Sequence, residues 1–249
     1  MPILRSRLTA LLIPVTAVVG ALIIGAVMLG ALGANPVKGY GTLIVAAFGS
    51  LDGLSNTAVK SIPLLLVGVG ICISFRASVI NIGGEGQMVM GALLATMAAL
   101  YFPDLPPFML IPLVLIIGFL GGAIWGAIPG ALKAYFNVSE ILSTIMLNIV
   151  AVQIMNFMLR GPLIDPGEIE RGTRIPQTAR LPEATDLPIL AEGFSIHAGY
   201  IIALLAAIGA YMLLWRTSLG FRLRSVGLSR DAARYAGIPV KRSIITALA

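Results

Sequence analysis

The sequence predicts an all-α protein, a polytopic transmembrane bundle with about six spans. Two features of its composition support this fold class. Of the 249 residues, 58% are hydrophobic and only 11% are charged, whereas a soluble domain is about half apolar and a quarter charged. The mean hydropathy is +0.97, and the charges are confined to short stretches between apolar runs near the roughly 20 residues that cross a bilayer. A water-soluble globular protein is therefore excluded.

Six apolar runs are the candidate spans. The first follows two arginines and is too long for a signal peptide, so we expect an uncleaved membrane helix. The fourth carries Gly121, Gly122 and Gly126, small residues that let helices approach closely. The fifth follows Asn137 and Glu140, which have the spacing of a capping box. The runs are 8–32, 62–75, 88–102, 108–132, 141–159 and 198–215.

Lys and Arg residues predict the orientation of these spans. With the N-terminus inside, eleven bases and three acids lie inside, and six bases and eight acids lie outside. The inner bases are Arg5, Arg7, Arg76, Lys133, Arg216, Arg222, Arg224, Arg230, Arg234, Lys241 and Arg242, and the inner acids are Glu85, Glu140 and Asp231. The outer bases are Lys38, Lys60, Arg160, Arg171, Arg174 and Arg180, and the outer acids are Asp52, Asp104, Asp165, Glu168, Glu170, Glu183, Asp186 and Glu192. This bias agrees with the positive-inside rule and explains the net charge of +6 without a nucleic acid partner.

The remaining segments complete a single predicted membrane domain over residues 1–249. Residues 160–197 form a long external loop that is rich in proline and acids, and residues 216–242 form a basic cytosolic loop. Residues 37–61 are an ambiguous outer stretch. Residues 244–249 turn apolar again, so we expect them to begin a further span that is cut off.

A glycine-rich segment separates the second run from the third. Three glycines stand within four residues between Asn81 and Gln87, and they predict a break in the helix. Broken helices at membrane depth are tolerated inside protein or beside water, and Glu85 would be costly in lipid. The segment is therefore either the lining of a transport path or a turn at the inner surface with Glu85 paired to a base such as Arg76. The same residues are no phosphate loop, because no Walker A pattern is present.

The fifth run carries an arc of polar side chains. Thr144, Asn148 and Asn156 lie within about 120° on a helix of 3.6 residues per turn. Because amides facing lipid are costly, this arc is expected to face protein or water. Hydrogen bonds between helices are the default interpretation, and contact with a neutral polar solute is the alternative. The candidate solute-pathway residues are thus Asn81, Glu85, Gln87, Thr144, Asn148 and Asn156.

The inner loop contains the third candidate, a short helix over 231–236. Ala232 and Ala233 give it small residues on one side, Gly237 suits a left-handed cap, and Pro239 would stop its continuation. A small cytosolic helix of this kind can dock into a groove of a partner protein, whereas a solvated basic loop that only sets topology is the alternative.

Metal and redox chemistry have little support in the sequence. Cys72 is the only cysteine and lies in an apolar run, so no internal disulfide and no thiolate metal site are possible. No span carries an acidic residue or a histidine at its centre, which argues against a proton relay. We expect no metal, no cofactor and no catalytic residues.

Several of these motifs resemble a known family. The run 231–238, DAARYAGI, resembles the coupling loop of bacterial ATP-binding-cassette (ABC) importer permeases. The runs 74–77 and 81–87, SFRA and NIGGEGQ, resemble the branch of that superfamily that serves sugars, nucleosides and branched-chain amino acids. Within the branch, the runs 143–148, 159–162 and 219–228 are similar to the nucleoside, simple-sugar-type, permeases.

This resemblance implies the partners and the role of the chain. It would be one of two permease subunits of an importer in the bacterial inner membrane, and it would itself be no enzyme. Cytosolic ATPase subunits would hold the coupling helix, and an external binding lipoprotein would deliver a nucleoside or related small polar solute. The implied ATPase-coupling residues are Arg230, Asp231, Ala232, Ala233, Arg234, Tyr235, Ala236, Gly237 and Ile238.

Two alternatives to a nucleoside permease stay open. Neutral polar solutes all favour amides and few charges, so the cargo could instead be a simple sugar or a branched-chain amino acid. The family chain continues through further spans after the coupling loop, so C-terminal spans are expected to be missing here. A truncated membrane scaffold that transports nothing is therefore the second alternative.

Overall fold

A computed structural model describes residues 2–190 and 195–249 of the chain. Within these residues the regular elements are all helical, which confirms the all-α fold class. The helices are α1 (Pro2–Ala31), α2 (Pro36–Phe48), α3 (Leu51–Arg76), α4 (Gly84–Tyr101), α5 (Pro107–Phe136), α6 (Glu140–Arg160), α7 (Pro166–Glu170), α8 (Gly199–Arg216), α9 (Ser218–Leu228), α10 (Arg230–Tyr235) and α11 (Val240–Leu248), with a 3₁₀ turn at Glu183–Thr185. Glu192, counted above among the outer acids, lies outside the described residues.

Five of the described helices are long and apolar enough to cross a membrane. They are α1 from Pro14 onwards, α3, α5, α6 and α8, and each coincides with a predicted run. The predicted third run, 88–102, corresponds to α4, which does not belong to these five. Its first turn carries Glu85 and Gln87, and these polar residues lower its mean hydropathy. α4 packs against both α5 and α6.

The second predicted run, 62–75, is too short. α3 begins at Leu51 and has 26 residues, because the helix continues through a polar stretch that an apolar run does not include. The ambiguous stretch before it contains most of α2, which Asn35 caps: its side chain accepts a hydrogen bond from the backbone N–H of Lys38 at 3.1 Å. Residues 2–59 with 195–196 form one compact unit, and residues 60–190 with 197–249 form another.

The predicted capping box before α6 is wrong. Asn137 ends α5 in the left-handed conformation, with φ of 53°, and Ser139 occupies the N-cap position of α6. Glu140 instead forms an ion pair with Lys133 of α5, with 2.8 Å between Nζ and Oε2. The two side chains are only 14% and 15% exposed, so this pair fastens the end of α5 to the beginning of α6.

Glycines allow close contact between helices, as the fourth run predicted. A Cβ atom at Gly91 of α4 would lie 2.8 Å from the carbonyl oxygen of Gly118 in α5. A Cβ atom at Gly126 of α5 would lie 2.1 Å from the carbonyl oxygen of Leu248 in α11. Only glycine permits backbones to approach this closely, so the side of α5 that carries these glycines contacts both α4 and α11.

The buried apolar core of the larger unit lies where the loop after α3 meets α8 to α11. We call it the inner core; it consists of Ala77, Val79, Leu214, Leu223, Val226, Ala233, Val240, Ile244, Ala247 and Leu248. The membrane-crossing helices, in contrast, expose many large apolar side chains, for example Phe119 and Phe157. The short helices α9 to α11 are therefore held in place by their packing in the inner core.

Candidate functional site

The predicted break is present as a non-helical turn over residues 77–83, whereas Gly84 and Gly86 of the glycine-rich segment already lie in the first turn of α4. Asn81 is 6% exposed, and its Oδ1 accepts a hydrogen bond from the N–H of Gly83 at 2.8 Å. Its Nδ2 donates to Oε1 of Gln87 at 3.4 Å. The side chain of Asn81 thus holds the turn together and links it to the first turn of α4.

Asn148 of α6 connects this turn to the neighbouring helix. Its Nδ2 donates to the carbonyl oxygen of Ile82 at 3.0 Å, and its Oδ1 accepts from the N–H of Gly86 at 2.9 Å. Thr144 is fully buried, and its hydroxyl donates to the carbonyl oxygen of Glu140 at 2.7 Å. Asn148 therefore bonds to another segment of the chain, as the default interpretation of the arc predicted, whereas the hydroxyl of Thr144 bonds within α6 itself.

Trp125 of α5 lies at the same place and was missed by sequence reasoning. A Cβ atom at Gly86 would be 3.0 Å from Nε1 of Trp125 and 2.8 Å from Oδ1 of Asn148. The indole N–H is buried and forms no hydrogen bond within the described residues. The absence of a side chain at Gly86 lets α4, α5 and α6 converge on this point.

The predicted pairing of Glu85 with Arg76 is wrong. Glu85 is exposed, and the ion pairs among the described residues do not include it. The guanidinium carbon of Arg76 instead lies 5.4 Å from the ring centre of Trp215. Arg224 of α9 lies 4.3 Å from the same ring centre. The end of α3 is therefore joined to α8 and α9 by cation–π contacts.

The short helix predicted over 231–236 is present as α10, within one residue of its predicted bounds. The hydroxyl of Ser229 caps it by accepting from the N–H of Ala232 at 3.2 Å. At its other end, Gly237 has φ of +78°. The N–H of Ile238 donates to the carbonyl oxygen of Ala233 at 2.9 Å, the hydrogen bond of a Schellman motif. The left-handed cap is therefore confirmed.

The two faces of α10 differ in exposure. Ala233 is 3% exposed and belongs to the inner core, whereas Tyr235 is 94% exposed. Arg234 and Asp231 form an exposed ion pair, with 3.7 Å between Nη1 of Arg234 and Oδ1 of Asp231. The buried alanine seats the helix on the protein, so any partner surface must use the side that carries Asp231, Arg234 and Tyr235.

Hydrogen bonds connect α10 and α11 to the turn at 77–83 and to the helices before and after it. Nη2 of Arg230 donates to the carbonyl oxygen of Ser78 at 3.4 Å. The hydroxyl of Ser74 in α3 donates to the carbonyl oxygen of Ala247 at 2.6 Å. Nε2 of Gln87 in α4 donates to the carbonyl oxygen of Leu248. The structure thus links two regions that the sequence analysis singled out separately.

A pocket of about 490 Å³ lies at the other end of α6. It is lined by Gln153, Asn156, Phe157, Arg160 and Gly161. Asn156 is the only one of these that the sequence analysis proposed. Gln153, Phe157 and Arg160 were missed, although together with Asn156 they have the i, i+3, i+4, i+7 spacing of one helix face.

Residues 165–177, in the long loop between α6 and α8, are organised by one buried carboxylate. Glu168 is 3% exposed and accepts hydrogen bonds from Arg171 at 3.0 Å, from Gln177 at 3.1 Å and from the hydroxyl of Thr173. Asp165 caps the five-residue helix α7 by accepting from the N–H of Gly167 at 3.0 Å. Three donors satisfy the buried charge, so residues 165–177 have a defined conformation.

The fold and these surfaces define a multi-pass helical membrane protein. In the part of the chain that the structure describes, no group of three or more His, Cys, Asp and Glu residues could hold a metal ion. A family model described as the permease component of branched-chain amino acid transport systems matches residues 53–249. The chain belongs to this permease family.

Curated relatives agree with this assignment. A glucose ABC transporter permease of Haloferax volcanii is 37% identical over 236 residues, covering 90% of this chain and 60% of the relative. A nucleoside ABC transporter permease of Lactococcus lactis is 32% identical over 249 residues, covering 98% and 68%. A guanosine ABC transporter permease of Bacillus subtilis is 34% identical over 242 residues, covering 97% and 68%. The chain therefore spans between 60% and 68% of the length of these relatives. No solved structure matches it.

Proposed function

We propose that this chain is a permease subunit of an ABC importer that carries a nucleoside or a related small polar solute across the cell membrane. Two of the relatives described above are permeases for nucleosides or guanosine. A simple sugar is the second candidate cargo, because the glucose permease is 37% identical. ATP would be hydrolysed by separate cytosolic subunits, and the permease itself would be no enzyme.

The observation that carries this proposal is the way α10 packs on the protein. The helix exposes Tyr235 and Arg234 on one side and buries Ala233 in the inner core on the other. Movement of an ATPase bound to the exposed side would pass through α11 to Ser74 and Gln87, which are hydrogen bonded to its last carbonyl oxygens. These two residues flank the break between α3 and α4, where a packed bundle can change between discrete arrangements.

The remaining assignments follow from orientation and polarity. The excess of Lys and Arg in the inner segments supports a cytoplasmic N-terminus. A second permease subunit would complete the bundle, and a binding lipoprotein would dock on the ordered outer loop around Glu168. Asn81, Gln87, Thr144 and Asn148 would shape the wall of the solute path, with Glu85 exposed at its inner end.

The docking role of α10 can be tested with Tyr235→Ala in the assembled transporter. Because Tyr235 is 94% exposed, its loss should leave the thermal stability of the permease unchanged. We expect reduced co-purification of the ATPase and reduced ATP-dependent uptake of radiolabelled guanosine. Tyr211→Ala in α8 is the matched control, since that tyrosine is also exposed, at 60%, but lies on a membrane-crossing helix.

Normal co-purification together with normal uptake in Tyr235→Ala would contradict the docking role. Labelled glucose serves as the second substrate in the same assay. Uptake of glucose without uptake of guanosine would keep the permease function and replace the nucleoside by a sugar. Replacing Ala233 is a poorer test, because a larger side chain there would disturb the inner core.

A further inference from the structure

Polar side chains on α6 stay exposed where the helix crosses the membrane. Gln153 and Arg160 are exposed, and Asn156 is partly exposed. With a rise of 1.5 Å per residue, Gln153 and Asn156 lie about 20 and 24 Å along a helix about 31 Å long. Amides and guanidinium groups that face lipid are costly. This face of α6 is therefore expected to face protein or a polar path rather than lipid.

The same face forms the pocket of about 490 Å³ described above. Its four side chains lie within an arc of about 100° on the helix, so one bound solute can contact all of them. The volume lies within the range of about 300–1,000 Å³ that is usual for small-molecule sites. The pocket joins an aromatic ring, Phe157, to two amides, Gln153 and Asn156, and to one guanidinium group, Arg160.

We propose that this pocket is a subsite for the base of a nucleoside, an inference that rests on the proposed transport function. The ring of Phe157 provides a surface on which a planar base can stack. The amides of Gln153 and Asn156 each offer donors and an acceptor, which match the donor and acceptor pattern on the edge of a base. Arg160 adds donors for a carbonyl oxygen or a ring nitrogen.

Other small solutes match this pocket less well. A free amino acid carries an ammonium group, and none of the five lining residues is acidic, so that charge would have no partner. A simple sugar has hydroxyl groups for the two amides but no planar aromatic face for Phe157. A base is the chemistry that uses the ring, the amides and the guanidinium group together.

The test is ATP-dependent uptake of radiolabelled guanosine by the assembled transporter that carries Phe157→Leu. Loss of a stacking surface should raise KM about tenfold, whereas Phe157→Tyr, which keeps the ring, should restore KM. Phe119→Leu in α5 is the matched control, because both phenylalanines are exposed on membrane-crossing helices, at 74% for Phe119 and 66% for Phe157. Unlabelled adenosine and uridine should compete, and glucose and leucine should not.

Two outcomes would overturn the subsite and leave the transport function standing. One is an unchanged KM for guanosine in Phe157→Leu, and the other is competition by glucose without competition by nucleosides. Absence of ATP-dependent uptake of every solute would refute the transport function. In that case the subsite is tested with Phe157→Trp in the purified full chain. Guanosine should quench the fluorescence of the added tryptophan, and glucose should not. Equal quenching by both, or by neither, overturns the subsite.

Discussion

Replacing Asn148 by leucine should destabilise the permease, because its amide is the hydrogen-bond partner of two backbone groups in another part of the chain. The N–H of Gly86 and the carbonyl oxygen of Ile82 would both lose a bond. Gly86 is buried, whereas Ile82 is exposed and its carbonyl can reach water. The full cost of an unsatisfied group, about 1–3 kcal/mol, therefore applies only to Gly86.

The second bond adds less to the expected loss. Hydrogen bonds between membrane helices average about 0.6 kcal/mol in double-mutant cycles. Together the two effects predict a loss of about 2 kcal/mol for Asn148→Leu, which for a chain of this size lowers Tm by about 4–8 °C. The assay is thermal unfolding of the purified permease, followed by tryptophan fluorescence, since Trp125 lies beside Gly86.

Asn156→Leu is the matched control on the same helix. The amide of Asn156 forms no hydrogen bond in the described part of the chain, and it lines the pocket of about 490 Å³ on α6. We expect its Tm to stay within about 1–2 °C of the native value, as for substitutions outside the core, while its KM for guanosine rises. An unchanged Tm in Asn148→Leu, or an equal fall in both variants, would refute the distinction between a structural and a solute-binding amide.

Three further predictions concern packing and charge. Lys133→Met should lower Tm because it leaves the carboxylate of Glu140, only 15% exposed, without its partner. Exchanging the two residues with each other should recover part of the lost Tm. No recovery would argue against the ion pair. Gly227→Ala should destabilise the protein, because its Cβ atom would lie 2.1 Å from a backbone oxygen at the end of α3, whereas Gly209→Ala in α8, where nothing lies within 4 Å, should not. An equal effect of the two alanines on Tm would contradict this packing. Glu168→Ala should speed tryptic cleavage within residues 165–177, since three side chains donate to that carboxylate; an unchanged cleavage rate would show that other contacts order the loop.

Hydropathy predicted well which segments form membrane helices, but it predicted poorly where those helices begin and end. An apolar run marks what lies in lipid, but a helix continues as long as its backbone hydrogen bonds do. α3 therefore begins at Leu51, before the apolar run, and includes Asp52 and Lys60. Asn137 shows a different ambiguity, because asparagine suits both the beginning of one helix and the left-handed end of another. Only the three-dimensional path of the chain decides between them.

The candidate site was predictable in part. The cap of α10 depends on residues within eight positions of one another, and local sequence is enough to predict it. The partners of Asn148 are backbone groups more than sixty residues earlier, and a backbone group has no signature in a sequence. The contacts of α11 with Ser74 and Gln87 join residues that are still further apart in sequence, by 173 and 161 positions. The pocket on α6 was accessible to sequence reasoning, because Gln153 and Asn156 have helical spacing.

The position of the inner core has a consequence for local opening of the backbone. Amide hydrogens exchange with solvent through local unfolding, which is rarest where buried apolar contacts are concentrated. In the larger unit that concentration surrounds α9, α10 and α11. Amide hydrogens of short helices in loops usually exchange fast. In α9 to α11 they should stay protected from exchange for as long as those of the membrane-crossing helices. The segment offered to a partner would then be among the least deformable parts of the molecule.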